Sequence, residues 1–247
     1  MALWEASPLG DGFALGRVAE GGAHPTQGKG GRFEICPASA DAVYCQKAPE
    51  DSMGYPLRDH RHYTYGDYRQ WSEDERYELI DGAAYLMAPA PSVDHQTVAF
   101  EVARQIRNAL EDERCRVLLA PLDVLLPRTQ EADDAVDTVV QPDVLVICAP
   151  EKVTPHGIRG APDWILEVIS PSSASHDQVV KLAAYERAGV REYWLAHPID
   201  RVLTIYRHDG QAYGRPEVLE LAGETALTVL PNVVVHWEPV IGQLLGA

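Results

Sequence analysis

Apolar residues recur along this chain with the spacing of a β-hairpin followed by an amphipathic helix. Residues 77–87 form two short apolar-rich segments around Asp81-Gly82, a dipeptide that is typical of tight hairpin turns. Ser92 is suited to cap the next helix, which we predict from about Val93 to Asp112. The apolar stripe of this helix consists of Val98, Val102, Ile106 and Ala109 or Leu110.

Later apolar segments predict the strands of a sheet. These segments lie at residues 116–126, 139–148, 164–169, 192–196 and 202–207. A helix is predicted from Ser173 or Ser175 to about Ala188, because Gly189 is a typical C-terminal stop. This order of strands and helices predicts an α/β domain with a central mixed β-sheet flanked by helices.

Residues 1–58 differ from the rest of the chain. Gly and Pro are frequent there and no sustained periodicity is visible, so we predict an irregular or poorly ordered N-terminal extension. Residues 59–247 are predicted to form one domain. Hydrophobic residues make up 46% of the chain, which is enough for a packed core.

The composition favours a protein of the cytoplasm without a membrane segment. No run of about 18 apolar residues is present, and the first residues lack the basic start and apolar run of a secretory signal. The four cysteines form no CxxC pair, which disfavours a thiolate zinc site. Cys115 and Cys148 lie in apolar segments, where we expect reduced core thiols.

The formal net charge of −16 bears on the possible partners. Nucleic-acid backbones attract Lys and Arg, so an acidic chain that acts on DNA needs a local basic patch, a basic partner or metal ions. The arginines are scattered in the sequence, and their spacing does not show whether they converge.

Two carboxylates and one lysine carry the candidate chemistry. Asp143 stands near the start of a predicted strand, Glu167 interrupts another, and Lys181 lies on the helix that follows. Hard divalent cations prefer oxygen ligands. A cation held by two such carboxylates can activate water and stabilise charge on a phosphate, so the pattern suggests metal-dependent phosphodiester hydrolysis.

In these residues the chain resembles the bacterial putative restriction endonuclease family of the PD-(D/E)XK nuclease superfamily. The matching pieces, in the expected order, are Tyr77 to Gly82, His95, Pro142-Asp143, Glu167 to Ser172, Asp177 through Lys181 to Tyr185, and Gly189 to Trp194. A lone Pro-Asp dipeptide carries little information, but the ordered set over about 63–207 is specific.

The resemblance implies a restriction-endonuclease-like core with a Mg²⁺ site, for which Mn²⁺ is an alternative. It carries Glu78, Asp143 and Glu167 over as metal ligands. The superfamily lysine normally stands two residues after the second acid, where this chain has Ile169, so the resemblance implies that Lys181 replaces it from the helix. The possible supporting residues are His95, Asp177 and Tyr185.

Each candidate also has a simpler interpretation. Asp143 can be a strand-edge residue held by turn hydrogen bonds, and Glu167 and Glu78 can face solvent. Lys181 can form a surface ion pair that contributes only a few tenths of a kcal/mol, roughly. Tyr185 can be an ordinary core tyrosine.

The leading hypothesis is a metal-dependent DNA endonuclease with Asp143, Glu167 and Lys181 as catalytic residues. A homodimer is plausible, because cutting both strands needs two sites. One alternative is a non-catalytic binding or assembly module that retains the nuclease fold, which the acidic charge favours. Another is a hydrolase of small phosphodiesters, which needs no large basic surface.

Overall fold

The computed structural model describes residues 61–71, 76–87, 90–110 and 114–245. The prediction of an irregular extension over residues 1–58 lies outside the described residues. Within these ranges, every helix is too short or too polar to cross a lipid bilayer.

The elements are named here in chain order. The strands are β1 (Tyr77–Ile80), β2 (Ala83–Leu86), β3 (Arg116–Leu119), β4 (Val124–Leu125), β5 (Val139–Val140), β6 (Val144–Ile147), β7 (Val153–Thr154), β8 (Gly157–Arg159), β9 (Trp164–Val168), β10 (Glu192–His197), β11 (Val202–Arg207), β12 (Glu217–Glu220), β13 (Glu224–Ala226) and β14 (Val234–His236). The helices are α1 (Tyr65–Tyr68), α2 (Val93–Ala109), α3 (Leu182–Ala188) and α4 (Glu238–Ile241), with 3₁₀ turns at Asp133–Ala135 and Pro150–Lys152. A π-helix (His176–Lys181) leads directly into α3.

The main sheet has six strands in the order β12-β11-β10-β9-β6-β3. Strands β9 and β10 run parallel and the other neighbours run antiparallel, so the sheet is mixed. Alternate residues of a strand face opposite sides of a sheet. Leu166 and Val168 pack in the core that includes α2, whereas Ile165 packs in the core that includes α3. The predicted α/β architecture, a mixed sheet flanked by helices, is confirmed.

A second sheet has the order β2-β1-β5-β4-β8-β7. Its β1–β2 hairpin turns at Asp81 and Gly82, whose φ angles are 54° and 76°. Tight hairpin turns of this kind require positive φ at both central residues, which Asp and Gly tolerate. The predicted hairpin is confirmed.

Two segments that were predicted as single strands are each divided between the two sheets. Residues 116–126 form β3 in the main sheet and β4 in the second, and residues 139–148 form β5 in the second and β6 in the main sheet. Pro142 has no N–H to continue a strand ladder, which explains the break between β5 and β6. Asp143 therefore lies where the chain crosses from one sheet to the other.

The expectation of reduced thiols at Cys115 and Cys148 is wrong, because the two residues form a disulfide. Strand β3 pairs with β6 so that Arg116 lies opposite Ile147. This register places the preceding Cys115 beside the following Cys148. Register is a property of the paired strands, so the spacing of the cysteines along the chain did not reveal the bond.

Candidate active site

Glu167 is a buried acid inside the main sheet. Its β9 neighbours face α2, so its own side chain faces the α3 side, where it is only 3% exposed. Its Oε1 accepts a hydrogen bond from the Tyr185 hydroxyl at 2.8 Å and lies 2.6 Å from Nζ of Lys181. The interpretation of Glu167 as a solvent-facing edge residue is therefore wrong.

Asp143 lies beside Glu167 at the crossing between the sheets. Its backbone N–H donates to Oε2 of Glu167 at 3.4 Å, and its own Oδ2 accepts from the Val168 N–H at 2.8 Å. His95, in the first turn of α2, places Nε2 3.1 Å from the same Oδ2. Ser92 caps this helix by accepting from the His95 N–H at 3.2 Å, as predicted. Asp143 keeps more solvent contact than Glu167, with 19% of its side chain exposed.

Lys181 brings its ammonium group into the space between the acids. Besides Glu167, its Nζ lies 3.0 Å from Oε1 of Glu78 and 3.7 Å from Oδ1 of Asp177. The side chain is buried, so Lys181 does not form the surface ion pair that its helical spacing allowed. The predicted helix brings Lys181 to these acids. The first part of this helix, His176–Lys181, is a π-helix.

Glu78 reaches the cluster from β1 in the second sheet and is also buried. Its Oε1 accepts from the Gln141 N–H at 2.7 Å, and its Oε2 lies 2.9 Å from Nε2 of His176. The His176 ring packs against Tyr85, with 4.7 Å between the ring centroids. The solvent-facing interpretation of Glu78 is therefore wrong.

The sequence-predicted site residues thus lie in one place, at the junction of the two sheets. They are Glu78, Asp143, Glu167 and Lys181, with His95, Asp177 and Tyr185 in contact with them. Sequence reasoning missed His176 and Gln141, which both hold Glu78. The only signals for them were their positions directly before motif residues, Gln141 before Pro142-Asp143 and His176 before Asp177.

Comparison with known proteins decides the family. A family model described as "Putative restriction endonuclease", named Uma2, matches residues 65–238. The chain belongs to the Uma2 family. This match covers both sheets and every residue of the buried cluster.

One further protein and one solved structure are similar to this Uma2 chain. An uncharacterized protein, slr1290, from Synechocystis sp. is 27% identical over 121 residues, which span 48% of this chain and 60% of that protein. A crystal structure described as a putative nuclease belonging to DUF820, from Anabaena variabilis, matches with a TM-score of 0.57 and 18% identity. That match covers 72% of this chain and 97% of the other and shows a shared fold, so the restriction-endonuclease-like core is confirmed.

The two acids that share the Lys181 ammonium in this Uma2 site have opposite pKa shifts. Burial raises the pKa of Glu78, but the charges of Lys181 and His176 and the Gln141 hydrogen bond outweigh it and lower the pKa to about 2. Burial raises the pKa of Glu167 far above its usual value, and Lys181 does not offset burial plus the nearby acids. Burial therefore dominates the pKa of Glu167, although the Lys181 ammonium lies 2.6 Å away.

The side chains present fit a divalent cation at Asp143 and Glu167. Both supply carboxylate oxygens, which Mg²⁺ and Mn²⁺ prefer, and the raised pKa of Glu167 is the shift that a bound cation would reverse. Among the described residues, no three His, Cys, Asp or Glu side chains form a group arranged to hold a metal ion. Two carboxylates suffice for Mg²⁺, because this ion usually keeps several water molecules.

Proposed function

We propose that this Uma2 chain is a metal-dependent nuclease that hydrolyses phosphodiester bonds in DNA, with Mg²⁺ or Mn²⁺ as its cofactor. The observation that carries the proposal is the buried contact of Glu167 with Lys181, directly beside the more exposed Asp143. An ionisable pair removed from solvent in this way, next to a more exposed acid, is typical of functional sites. The family description supports a nuclease.

Asp143 and Glu167 are the residues that hold the cation. When bound, the cation supplies an activated water molecule and stabilises negative charge on the phosphate. Tyr185 orients Glu167 through the hydrogen bond to Oε1, and His95 and the Val168 N–H orient Asp143. Lys181 donates to the attacking water or to a phosphate oxygen, where a preorganised donor is worth about 10²- to 10³-fold in rate.

A groove further along α2 offers a contact surface for the DNA backbone. It runs between α2 and β3, and its lining includes Phe100, Arg104 and Arg107. The same helix begins next to Asp143, through His95. Arg104 pairs with Glu101, whereas Arg107 is exposed and forms no ion pair within the described part of the chain. Arg107 therefore contributes one positive charge that can contact a phosphate, which offsets a small part of the repulsion expected from a chain of net charge −16.

Plasmid DNA incubated with the purified protein and Mg²⁺ or Mn²⁺ tests the proposal. We expect nicking or linearisation by the parent, with an Asp143→Asn variant slower by about 100-fold or more. Asp200→Asn is the matched control, because Asp200 is exposed and no hydrogen bond or ion pair joins it to the cluster among the described residues. Equal nicking by the parent and the Asp143→Asn variant, or none over a broad range of salt and DNA sequence, would refute the nuclease proposal.

The net charge of −16 favours a second candidate, hydrolysis of small phosphodiesters. Such substrates carry little charge and need no extended basic surface. Bis-p-nitrophenyl phosphate distinguishes the two. Hydrolysis of this ester that depends on Asp143, with no action on DNA, favours the second candidate. For the DNA enzyme, a homodimer is the assembly that would cut both strands, and light scattering measures it directly.

A further inference from the structure

Within the ranges that the structure describes, Glu78 and Glu167 each have three polar contacts, but only Glu78 has short contacts on both carboxylate oxygens. Oε1 of Glu78 accepts from the Gln141 N–H at 2.7 Å and from the Lys181 ammonium at 3.0 Å, and Oε2 pairs with His176 at 2.9 Å. A carboxylate oxygen accepts about two hydrogen bonds through its lone pairs. Oε1 is therefore saturated, and Oε2 is held by the short contact to His176.

Asp143 and Glu167 are engaged less completely. Among the described residues, Oε2 of Glu167 accepts a hydrogen bond only from the Asp143 N–H, and that contact of 3.4 Å is long for a hydrogen bond. Oδ1 of Asp143 accepts no hydrogen bond from the described residues, and the Asp143 side chain reaches solvent. An ion that enters from solvent therefore meets these two acids without breaking a short hydrogen bond.

Glu78 also acts on the chain that leads to Asp143. Its bond to the Gln141 N–H holds the backbone at the crossing between β5 and β6. The Gln141 side chain in turn donates to Asp123 at 2.9 Å and to the Tyr68 hydroxyl at 3.1 Å. The position of Asp143, two residues further on, depends on this anchored crossing.

We propose that Glu78 is a positioning residue that anchors the Lys181 ammonium and the backbone before Asp143, and that the metal ion is held by Asp143 and Glu167 without it. This assignment differs from the expectation that Glu78 is a metal ligand. It rests on the proposed metal-dependent function and specifies which acids that function uses. His176 belongs to the anchor, because its Nε2 lies 2.9 Å from Oε2 of Glu78.

Two double variants with the same change in charge test the proposal on the full chain. Glu78→Gln with Lys181→Met removes the anchor and its cation, whereas Glu167→Gln with Lys181→Met removes a proposed ligand and the same cation. Calorimetric titration with Mn²⁺ is expected to give an affinity within about tenfold of the parent for the first variant. We expect the second variant and Asp143→Asn to bind at least 100-fold more weakly. Loss of affinity in the first variant as large as in the second would overturn the proposal.

A metal-free measurement separates this inference from the proposed function. The chain has four lysines, so the Lys181 ammonium can be assigned by ¹⁵N NMR in the presence of EDTA. We expect Glu78→Gln to abolish its protection from solvent exchange and Asp143→Asn to retain it. Unchanged protection in Glu78→Gln would overturn the anchoring role, whether or not the parent binds Mn²⁺. Absence of Mn²⁺ binding by the parent would refute the proposed function alone. If a double variant does not fold by circular dichroism, the single variants Glu78→Gln and Glu167→Gln give the same comparison of affinities.

Discussion

The ammonium nitrogen of Lys181 lies 2.6 Å from Oε1 of Glu167, and both side chains are almost completely buried. Removing two charges from water costs several kcal/mol for each ion, roughly, and their attraction offsets this cost only when further hydrogen bonds complete the arrangement. Tyr185 supplies one of these bonds to Glu167. Removing a single member of such a group leaves an uncompensated charge, which makes each member testable.

Replacing Lys181 with methionine is expected to lower the free energy of unfolding by about 3 to 5 kcal/mol in the metal-free protein, because buried acids lose their cation. Urea denaturation followed by fluorescence measures the change. Lys152→Met is the control, since Nζ of Lys152 donates to the Ala161 carbonyl and a hydrogen bond of this kind contributes about 1 kcal/mol. Equal losses in the two variants would contradict the central role of Lys181.

Replacing Tyr185 with phenylalanine removes the hydroxyl that donates to Glu167 while keeping the ring. We expect a loss of about 1.5 to 3 kcal/mol in the free energy of unfolding if Glu167 is ionised, and less if it is protonated. Tyr206→Phe is the matched control, because the Tyr206 hydroxyl makes no hydrogen bond within the described ranges. Urea titrations at one pH compare the two, and a Tyr185→Phe variant as stable as the control would contradict the expected bond.

His95 is expected to titrate above its usual pKa of 6.5. Burial lowers the pKa, but the hydrogen bond to Asp143 and the Asp143 charge outweigh it. The pair therefore contributes stability that is fully present below pH 6.5 and is lost as the pH rises through the raised pKa. NMR titration of the ring protons measures the shift, and Asp143→Asn should lower the pKa. A pKa that does not change in this variant would show that Asp143 is not the cause.

Metal affinity is expected to increase with pH. The pKa of Glu167 is raised by burial and neighbouring acids, so a cation competes with a proton for this carboxylate. Below that pKa, each pH unit should tighten Mn²⁺ binding by up to about tenfold. Calorimetry in buffers with different ionisation enthalpies reports the released proton. If the Mn²⁺ affinity and the proton release stay constant from pH 5.5 to about 8.5, Mn²⁺ does not displace a proton from Glu167.

The Cys115–Cys148 disulfide is expected to stabilise the fold. The two residues are 33 positions apart, and a crosslink that closes a loop of this size contributes roughly 3 to 4 kcal/mol in the chain-entropy account. Urea denaturation with and without a reductant measures the loss, in a Cys36→Ser, Cys45→Ser background that leaves only this pair. Rapid alkylation of Cys115 and Cys148 in the folded, unreduced protein would show that the bond is absent.

The sequence by itself determined the local elements and the identity of the main candidates. The hairpin at Asp81-Gly82 follows from two residues that tolerate positive φ, and Gly189 ends its helix with a φ of 80°. These features depend on a few neighbouring residues, so the sequence carries them in full. Asp143, Glu167 and Lys181 were identified from their order in the sequence and from the family resemblance. Both can be recognised before the fold is known.

Only the tertiary structure decided which residues meet. It divided residues 116–126 and 139–148 between two sheets, joined Cys115 to Cys148, and brought His176 and Gln141 to Glu78. Each result depends on the pairing register of strands that are distant in sequence, and a slip of one residue would reverse the faces. The opposite pKa shifts of Glu78 and Glu167 also depend on the tertiary structure, because they arise from burial and from the charged groups packed around each carboxyl.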